Sequence, residues 1–203
     1  MKVSDFVQCV DFPCLDIRRA GYQVPAVEVE PAAIKIMLIS EAAPEAPADY
    51  YYAGAEALFA QTTRLAFQEA GARVNSLQDI LDLGVYLTTA VKCAKSAPGL
   101  SKTTILTCSQ LLEKELALFP NVRAYLLMGD VAIQAINTIA RRNGEPRVIP
   151  AGATYKLRGG EFRFRGARAF PSYVQAGPAF FVEKSKRKMI AEDIGKALRI
   201  ADF

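Results

Sequence analysis

Three short apolar runs, each followed by a segment with helical periodicity, constrain the fold of this 203-residue chain most strongly. The runs are Ile34–Ile39, Val85–Val91 and Ala124–Met128. Continuous apolar runs of this length, separated by helices, are typical of parallel strands that are buried on both faces. The alternation predicts an α/β protein: a three-layer α/β/α sandwich around a central, largely parallel sheet of four to five strands.

The rest of the chain supplies the other elements. Apolar spacing, caps and breakers predict helices over Ala55–Ala70, Ser76–Leu83, Ser101–Leu118, Val131–Ala140 and Ser185–Leu198. Four β-prone stretches precede the last helix: Arg147–Ile149, Thr154–Leu157, Phe162–Phe164 and Ala167–Phe170. No linker, repeat or low-complexity segment divides the sequence, so we expect a single domain over residues 1–203.

Charge is unevenly distributed along the chain. Residues 141–203 carry 14 Lys or Arg and 6 Asp or Glu, a net charge of +8, whereas residues 1–140 have a net charge of −4. A basic final third fits a phosphate-bearing partner, although an Arg-rich solvated surface gives the same pattern. No apolar run is long enough to cross a bilayer and no signal-peptide pattern opens the sequence, so we expect a cytoplasmic protein without a membrane partner.

The sequence contains no His and four Cys. The absence of His excludes Ser–His and Cys–His catalysis and His-ligated zinc. The cysteines form two pairs, Cys9 with Cys14 and Cys93 with Cys108. Disulfides are disfavoured in a reducing cytosol. Four thiolates suit a tetrahedral zinc ion or a [4Fe–4S] cluster, and four buried small apolar residues are the remaining interpretation.

Four segments carry a resemblance to a known family by their order along the chain. They are IMLISEAAP (Ile36–Pro44), TTAVKC (Thr88–Cys93), LLMGDVAIQAI (Leu126–Ile136) and AFPSYV (Ala169–Val174). Together they resemble the uracil-DNA glycosylase superfamily, closest to its iron–sulfur family 4 type. The resemblance implies a DNA-repair hydrolase that flips a damaged base out of DNA and excises it. It also implies a structural [4Fe–4S] cluster held by Cys9, Cys14, Cys93 and Cys108.

The same resemblance implies roles for residues of the first motif and the loop after it. Glu41 is the leading catalytic acid, and Asp49 is the second candidate, for water activation. Tyr51 or Tyr52 takes the place of an aromatic side chain that stacks on the flipped base. Each of these residues has a structural alternative: a solvated acid for the carboxylates, and packing of the loop against the sheet for the rings.

The sequence departs from the family pattern at positions that matter for base recognition. The family's Gly residues in the first motif are Ser40 and Glu45 here. Its uracil-reading Asn corresponds to Thr89, whose hydroxyl cannot supply the bidentate amide pattern. Its His, which helps to stabilise the leaving base, corresponds to Phe170. We therefore expect weaker or different base discrimination.

Polar and basic residues near the carboxyl end are candidates for contact with DNA phosphates. The candidates are Ser172, Tyr173, Lys184, Lys186, Arg187 and Lys188. The leading hypothesis is a monomeric DNA glycosylase. The alternative is a non-catalytic iron–sulfur module that binds nucleic acid. A small-molecule enzyme on a nucleotide-binding fold is less favoured, because no Gly-rich phosphate loop follows any predicted strand.

Overall fold

A six-stranded mixed sheet forms the centre of the computed structural model, which describes residues 1–201. Its strands are β1 (Ile17–Arg18), β2 (Ile36–Ala43), β3 (Val85–Lys95), β4 (Ala124–Met128), β5 (Phe162–Phe164) and β6 (Ala167–Ser172), in the order β1-β3-β2-β4-β6-β5. The four central strands are parallel, and the short strands β1 and β5 pair antiparallel at the two edges. The predicted, mainly parallel sheet is thus confirmed, with one strand more than the largest number expected.

Helices cover both faces of the sheet. They are α1 (Leu58–Glu69), α2 (Leu77–Asp82), α3 (Lys102–Leu116), α4 (Asp130–Arg142), α5 (Thr154–Leu157), α6 (Ala179–Val182) and α7 (Lys184–Ala201). Alternate residues of β2 enter two separate cores: Met37 and Ile39 pack with α3 and α4, whereas Ile36 and Leu38 pack with α1, α2 and α7. This period of two follows from strand geometry and produces the expected three layers.

Two of the predicted β-prone stretches are wrong. Thr154–Leu157 forms the short helix α5, and residues 147–149 lie in an irregular segment. The side chain of Asn137 explains the second case, because its amide donates to the carbonyl of Ile149 and accepts from the amide nitrogen of Ile149, each at 2.9 Å. The Asn137 side chain thus satisfies the backbone N–H and carbonyl of Ile149, which in a sheet would bond to a neighbouring strand.

The carboxyl ends of the four parallel strands meet at one edge of the sheet. Here β2 continues past the predicted end at Ile39, because Ser40 still pairs with Thr89 and Ala42 with Val91. Glu41 therefore lies within β2, near its carboxyl end, rather than in a loop. Crevices outside the carboxyl ends of parallel strands are the usual ligand sites of open α/β sheets.

Within residues 1–201, no helix combines the length and the apolar character needed to cross a membrane.

Candidate functional site

Glu41 lies where β2 meets the amino-terminal end of α4. Its Oε1 accepts a hydrogen bond from the backbone N–H of Val131 at 3.4 Å, and its Oε2 is 3.6 Å from Nζ of Lys95. The side chain of Glu41 is 22% exposed. The amino terminus of α4, with its partial positive charge, and the Lys95 ammonium group thus both lie beside the carboxylate oxygens.

Gly129, the residue before α4, permits this close approach. Its φ of +102° lies in the left-handed region, and a β-carbon there would lie 2.5 Å from Cγ2 of Val174 and 2.6 Å from Oε1 of Glu41. Only glycine tolerates both conditions without strain. The strand–Gly–helix segment identified in the sequence therefore shapes the space that the Glu41 carboxylate occupies.

A cavity of about 590 Å³ opens beside Glu41. We call it the Glu41 cavity; its charged lining residues are Glu41, Glu45, Asp49 and Lys95. The two candidate acids, Glu41 and Asp49, thus share one cavity. Asp49 has a second role, since its Oδ1 accepts a hydrogen bond from the backbone N–H of Leu58 at 3.4 Å, at the start of α1. A carboxylate at the amino terminus of a helix stabilises the helix, whether or not it also takes part in catalysis.

Tyr51 and Tyr52 are not among the residues that line the Glu41 cavity. Tyr51 is 1% exposed, and its hydroxyl contacts Ser40 Oγ and accepts from Nε2 of Gln175 at 2.9 Å. The Tyr52 hydroxyl donates to the carbonyl of Leu87 at 3.2 Å and accepts from the amide of Leu87 at 3.0 Å. Both rings line a different cavity, of about 580 Å³. Burial raises the pKa of both phenols, so they stay neutral.

The base-reading positions Thr89 and Phe170 are buried rather than open to the Glu41 cavity. Thr89 is fully buried, and its Oγ1 has no hydrogen-bond partner within the described residues. Phe170 is 3% exposed and belongs to the core on the α1, α2 and α7 side of the sheet. Neither residue is among those that line the Glu41 cavity. These two departures from the family pattern therefore lie outside the lining of the Glu41 cavity, whereas the other two, Ser40 and Glu45, are part of it.

The candidate DNA-contact residues differ in how accessible they are. Ser172 is buried and donates from its hydroxyl to Oδ2 of Asp193 at 2.7 Å. Lys184 and Lys188 are exposed, whereas Lys186 pairs with Glu183 and Arg187 pairs with Glu69.

Tyr173 is half-buried, and its ring lies 5.4 Å from Nζ of Lys186. Tyr173, Lys186 and Arg187 line a small cavity of about 290 Å³ that also reaches Gly129. Lys186 and Arg187 thus share a cavity with Gly129, the glycine that lies beside the Glu41 carboxylate.

All four cysteines line one cavity of about 310 Å³, which we call the cysteine cavity. Cys93 and Cys108 are buried, whereas Cys9 and Cys14 are half-buried in the amino-terminal segment. The Tyr22 hydroxyl accepts a hydrogen bond from the amide of Cys9 at 3.0 Å, and Sγ of Cys108 accepts one from the amide of Lys92 at 3.2 Å. Burial raises the pKa of Cys93 to about 12 and that of Cys108 to about 11.

The donor set of this cavity is four cysteine thiols, which are ligands for a tetrahedral zinc ion as well as for an iron–sulfur cluster. Among residues 1–201, no three His, Cys, Asp or Glu side chains lie close enough to hold one metal ion. A tetrahedral zinc ion draws four thiolates to about 2.3 Å from one centre. A four-iron cluster instead binds each thiolate at a different iron, so the sulfur atoms lie farther apart.

Two features of the site were missed by sequence reasoning. The first is Lys95, whose only signal is its place at the end of β3, two residues after Cys93. The second is the buried ion pair between Lys92 and Glu115 behind Thr88 and Thr89. The first feature depends on β3 lying beside β2, and the second on α3 packing against β3. A single sequence gives neither adjacency.

Comparison with known proteins agrees with the geometry. Residues 27–192 match the family model described as the Uracil DNA glycosylase superfamily. A curated protein of Thermus thermophilus named type-5 uracil-DNA glycosylase is 30% identical over 125 residues, which is 61% of this chain and 53% of the relative. The chain thus spans about half the length of the curated relative it matches. That relative carries the type-5 name, whereas the sequence motifs resemble the family 4 type.

Proposed function

The chain belongs to the uracil-DNA glycosylase superfamily, and on that premise we propose that it is a DNA glycosylase. The reaction is hydrolysis of the N-glycosidic bond of uracil or another damaged base that has been flipped out of DNA. One observation carries the proposal. The Glu41 carboxylate lies on the wall of a cavity at the carboxyl ends of the parallel strands, held against the amino terminus of α4.

Glu41 supplies the negative charge that the reaction needs. When the bond between C1′ and the base nitrogen breaks, positive charge develops on the sugar and negative charge on the base. A carboxylate that is already positioned stabilises the sugar cation without reorganisation. The same carboxylate orients a water molecule, whose hydroxyl adds to C1′ while its proton ends on the base. Asp49, on the same cavity, is the second candidate for positioning that water.

The basic segment at the start of α7 is proposed to hold the DNA backbone. Lys184 and Lys188 are exposed, so they are free to contact phosphates. Lys186 and Arg187 reach phosphates by exchanging their carboxylate partners Glu183 and Glu69, which lie at the surface. Because each phosphate contact releases counterions, binding through this segment weakens steeply as salt increases.

The excision assay separates this function from its alternative. The wild-type protein is incubated with labelled oligonucleotides that contain uracil, hypoxanthine, xanthine or a mismatch, and abasic sites are counted after strand cleavage. We expect excision of at least one base. The buried positions of Thr89 and Phe170 favour the alternative, a non-catalytic nucleic-acid-binding module. That alternative predicts salt-sensitive binding of the same oligonucleotides without release of any base.

The cysteine cavity is proposed to hold a structural [4Fe–4S] cluster, with Cys9, Cys14, Cys93 and Cys108 as ligands. The support is that the four thiols, which come from the amino-terminal segment, β3 and α3, line one cavity. When bound, the cluster would cross-link the amino-terminal segment to β3 and α3. Its ligands must lose their protons, and the iron offsets the burial that keeps the Cys93 and Cys108 thiols protonated.

Anaerobic purification tests the cluster directly. We expect a brown protein that absorbs at about 400 nm and carries about four iron atoms per chain. Cys93→Ala and Cys108→Ala should each lower the iron content and bleach the colour, because each removes a buried ligand. Colourless wild-type protein, with stoichiometric zinc or with no metal, contradicts the assignment.

A further inference from the structure

Lys95 brings a positive charge into the Glu41 cavity. Among the described residues that line this cavity, it is the one Lys or Arg, and Glu41, Glu45 and Asp49 line the same cavity. Its Nζ is 3.6 Å from Oε2 of Glu41, and its side chain is 35% exposed. The ammonium therefore lies at the cavity wall with part of its surface open to a molecule in the cavity.

Lys95 is the last residue of β3, and the neighbouring strands β1 and β2 pair with this end of the strand. Its backbone pairs with Ile17 of the edge strand β1, and Ala94 pairs with Ala43 of β2. Gly21 packs so closely on this strand end that a β-carbon there would lie 2.5 Å from Cβ of Ala94. Because β1 and Gly21 follow Cys9 and Cys14 in the chain, the segment that carries these cysteines also fixes the position of Lys95.

Base release produces a negative charge on the leaving base, and a cation beside the base would stabilise that charge. When the C1′–N bond breaks heterolytically, its electron pair goes to the base, which leaves as an anion. Phe170 stands where the family pattern has a polar side chain for this charge, and it is buried and has no donor. A preorganised cation in a partly desolvated cavity stabilises such a charge far better than bulk water does.

We propose that Lys95 is a catalytic residue that stabilises the negative charge of the departing base. This inference rests on the glycosylase function proposed above. The Lys95 ammonium group donates a hydrogen bond to a base oxygen, and a proton from the attacking water completes the neutral free base. Glu41 faces the sugar cation and Lys95 faces the base anion, so the two charges at the cavity wall match the two charges that develop in the reaction.

The dependence of the rate on the leaving group tests this role. Single-turnover excision is measured on the base that the wild type releases and on its more electron-poor analogue, 5-fluorouracil in the case of uracil. Lys95→Gln is expected to lower uracil excision by about 100-fold or more. The loss should be several-fold smaller for 5-fluorouracil, whose anion needs less stabilisation. Lys95→Arg, which keeps the charge, should recover most of the rate.

Matched variants separate this role from a structural one. Lys35 lies just before β2, at the opposite end of that strand from Glu41, and Lys35→Gln should leave excision of both bases unchanged. Glu41→Gln removes a group assigned to the sugar, so its loss should be similar for the two bases. Thermal unfolding of Lys95→Gln is followed in parallel and should match that of the wild type.

Each other outcome overturns the inference. If Lys95→Gln excises normally, Lys95 takes no part in the reaction. If its loss is the same for both bases, as for Glu41→Gln, Lys95 acts only by positioning Glu41. If the wild type releases no base at all, the proposed function itself is wrong and the inference falls with it.

Discussion

Glu41→Gln is expected to lower the rate of base excision by about 100- to 10,000-fold while the protein stays folded. The substitution removes the negative charge that stabilises the sugar cation and orients water. It keeps the shape of the side chain, which matters because the space beside Gly129 admits little change. The amide oxygen of Gln can still accept the hydrogen bond of the Val131 N–H. The measurement is single-turnover release of the base from a labelled duplex.

Two comparisons make this result specific to Glu41. Glu161 is an exposed carboxylate just before β5, and Glu161→Gln should excise at the wild-type rate. Asp49→Asn should keep most of the activity if Asp49 mainly caps α1 through the Leu58 N–H. An Asp49→Asn protein that is folded but inactive, beside an active Glu41→Gln protein, would transfer the acid role to Asp49.

The sequence alone predicts the layers of the fold well, and the ends of its strands poorly. Continuous apolar runs identified β2, β3 and β4, because strands buried on both faces leave a strong pattern. The two-residue β1 has no such pattern. The residues that continue β2 to Ala43 include Ser40 and Glu41, which look like a loop in the sequence. Pairing with β3 extends the strand through them, and this pairing is not local.

The candidate site was predictable only where a motif fixes the backbone. Glu41 and Gly129 come together because a strand end and a glycine turn place them, and the four cysteines line a separate cavity. The burial of Tyr51 and Tyr52 was not predictable in this way. Tyr52 bonds to the backbone of Leu87, and Tyr51 bonds to Gln175, so partners distant in sequence decide which rings are buried. The run of three tyrosines, residues 50–52, does not by itself indicate which distant residues their hydroxyls bond to.

A second large effect is expected at the buried ion pair of Lys92 and Glu115. Both side chains are fully buried, and the ammonium also donates to Thr88 Oγ1 at 2.8 Å and to the Thr89 carbonyl at 2.6 Å. Glu115 accepts further hydrogen bonds from the hydroxyls of Tyr86, at 2.7 Å, and Thr88, at 2.9 Å. Lys92 and all of these hydrogen-bond partners belong to β3, the strand that carries Lys95, whereas Glu115 belongs to α3.

Removing one member of this pair leaves the other charge buried without its partner. Glu115→Leu and Lys92→Met should each lower the free energy of unfolding by about 3–5 kcal/mol. The double variant Lys92→Met/Glu115→Leu should recover much of that loss, because neither charge then remains. Recovery should stop short of the wild type, since the Tyr86 and Thr88 hydroxyls and the Thr89 carbonyl lose partners. Denaturant unfolding of the four proteins gives the coupling free energy.

The outcome also bears on the cysteine cavity, because the backbone N–H of Lys92 bonds to Sγ of Cys108. The exposed Lys102, in the first turn of α3, provides the control: Lys102→Met should change the free energy of unfolding by less than about 0.5 kcal/mol. Strictly additive losses in the double variant would mean that the two charges do not depend on each other. Coupled losses would instead make Lys92 a shared support, since its side chain anchors β3 to α3 and its backbone contacts a proposed cluster ligand.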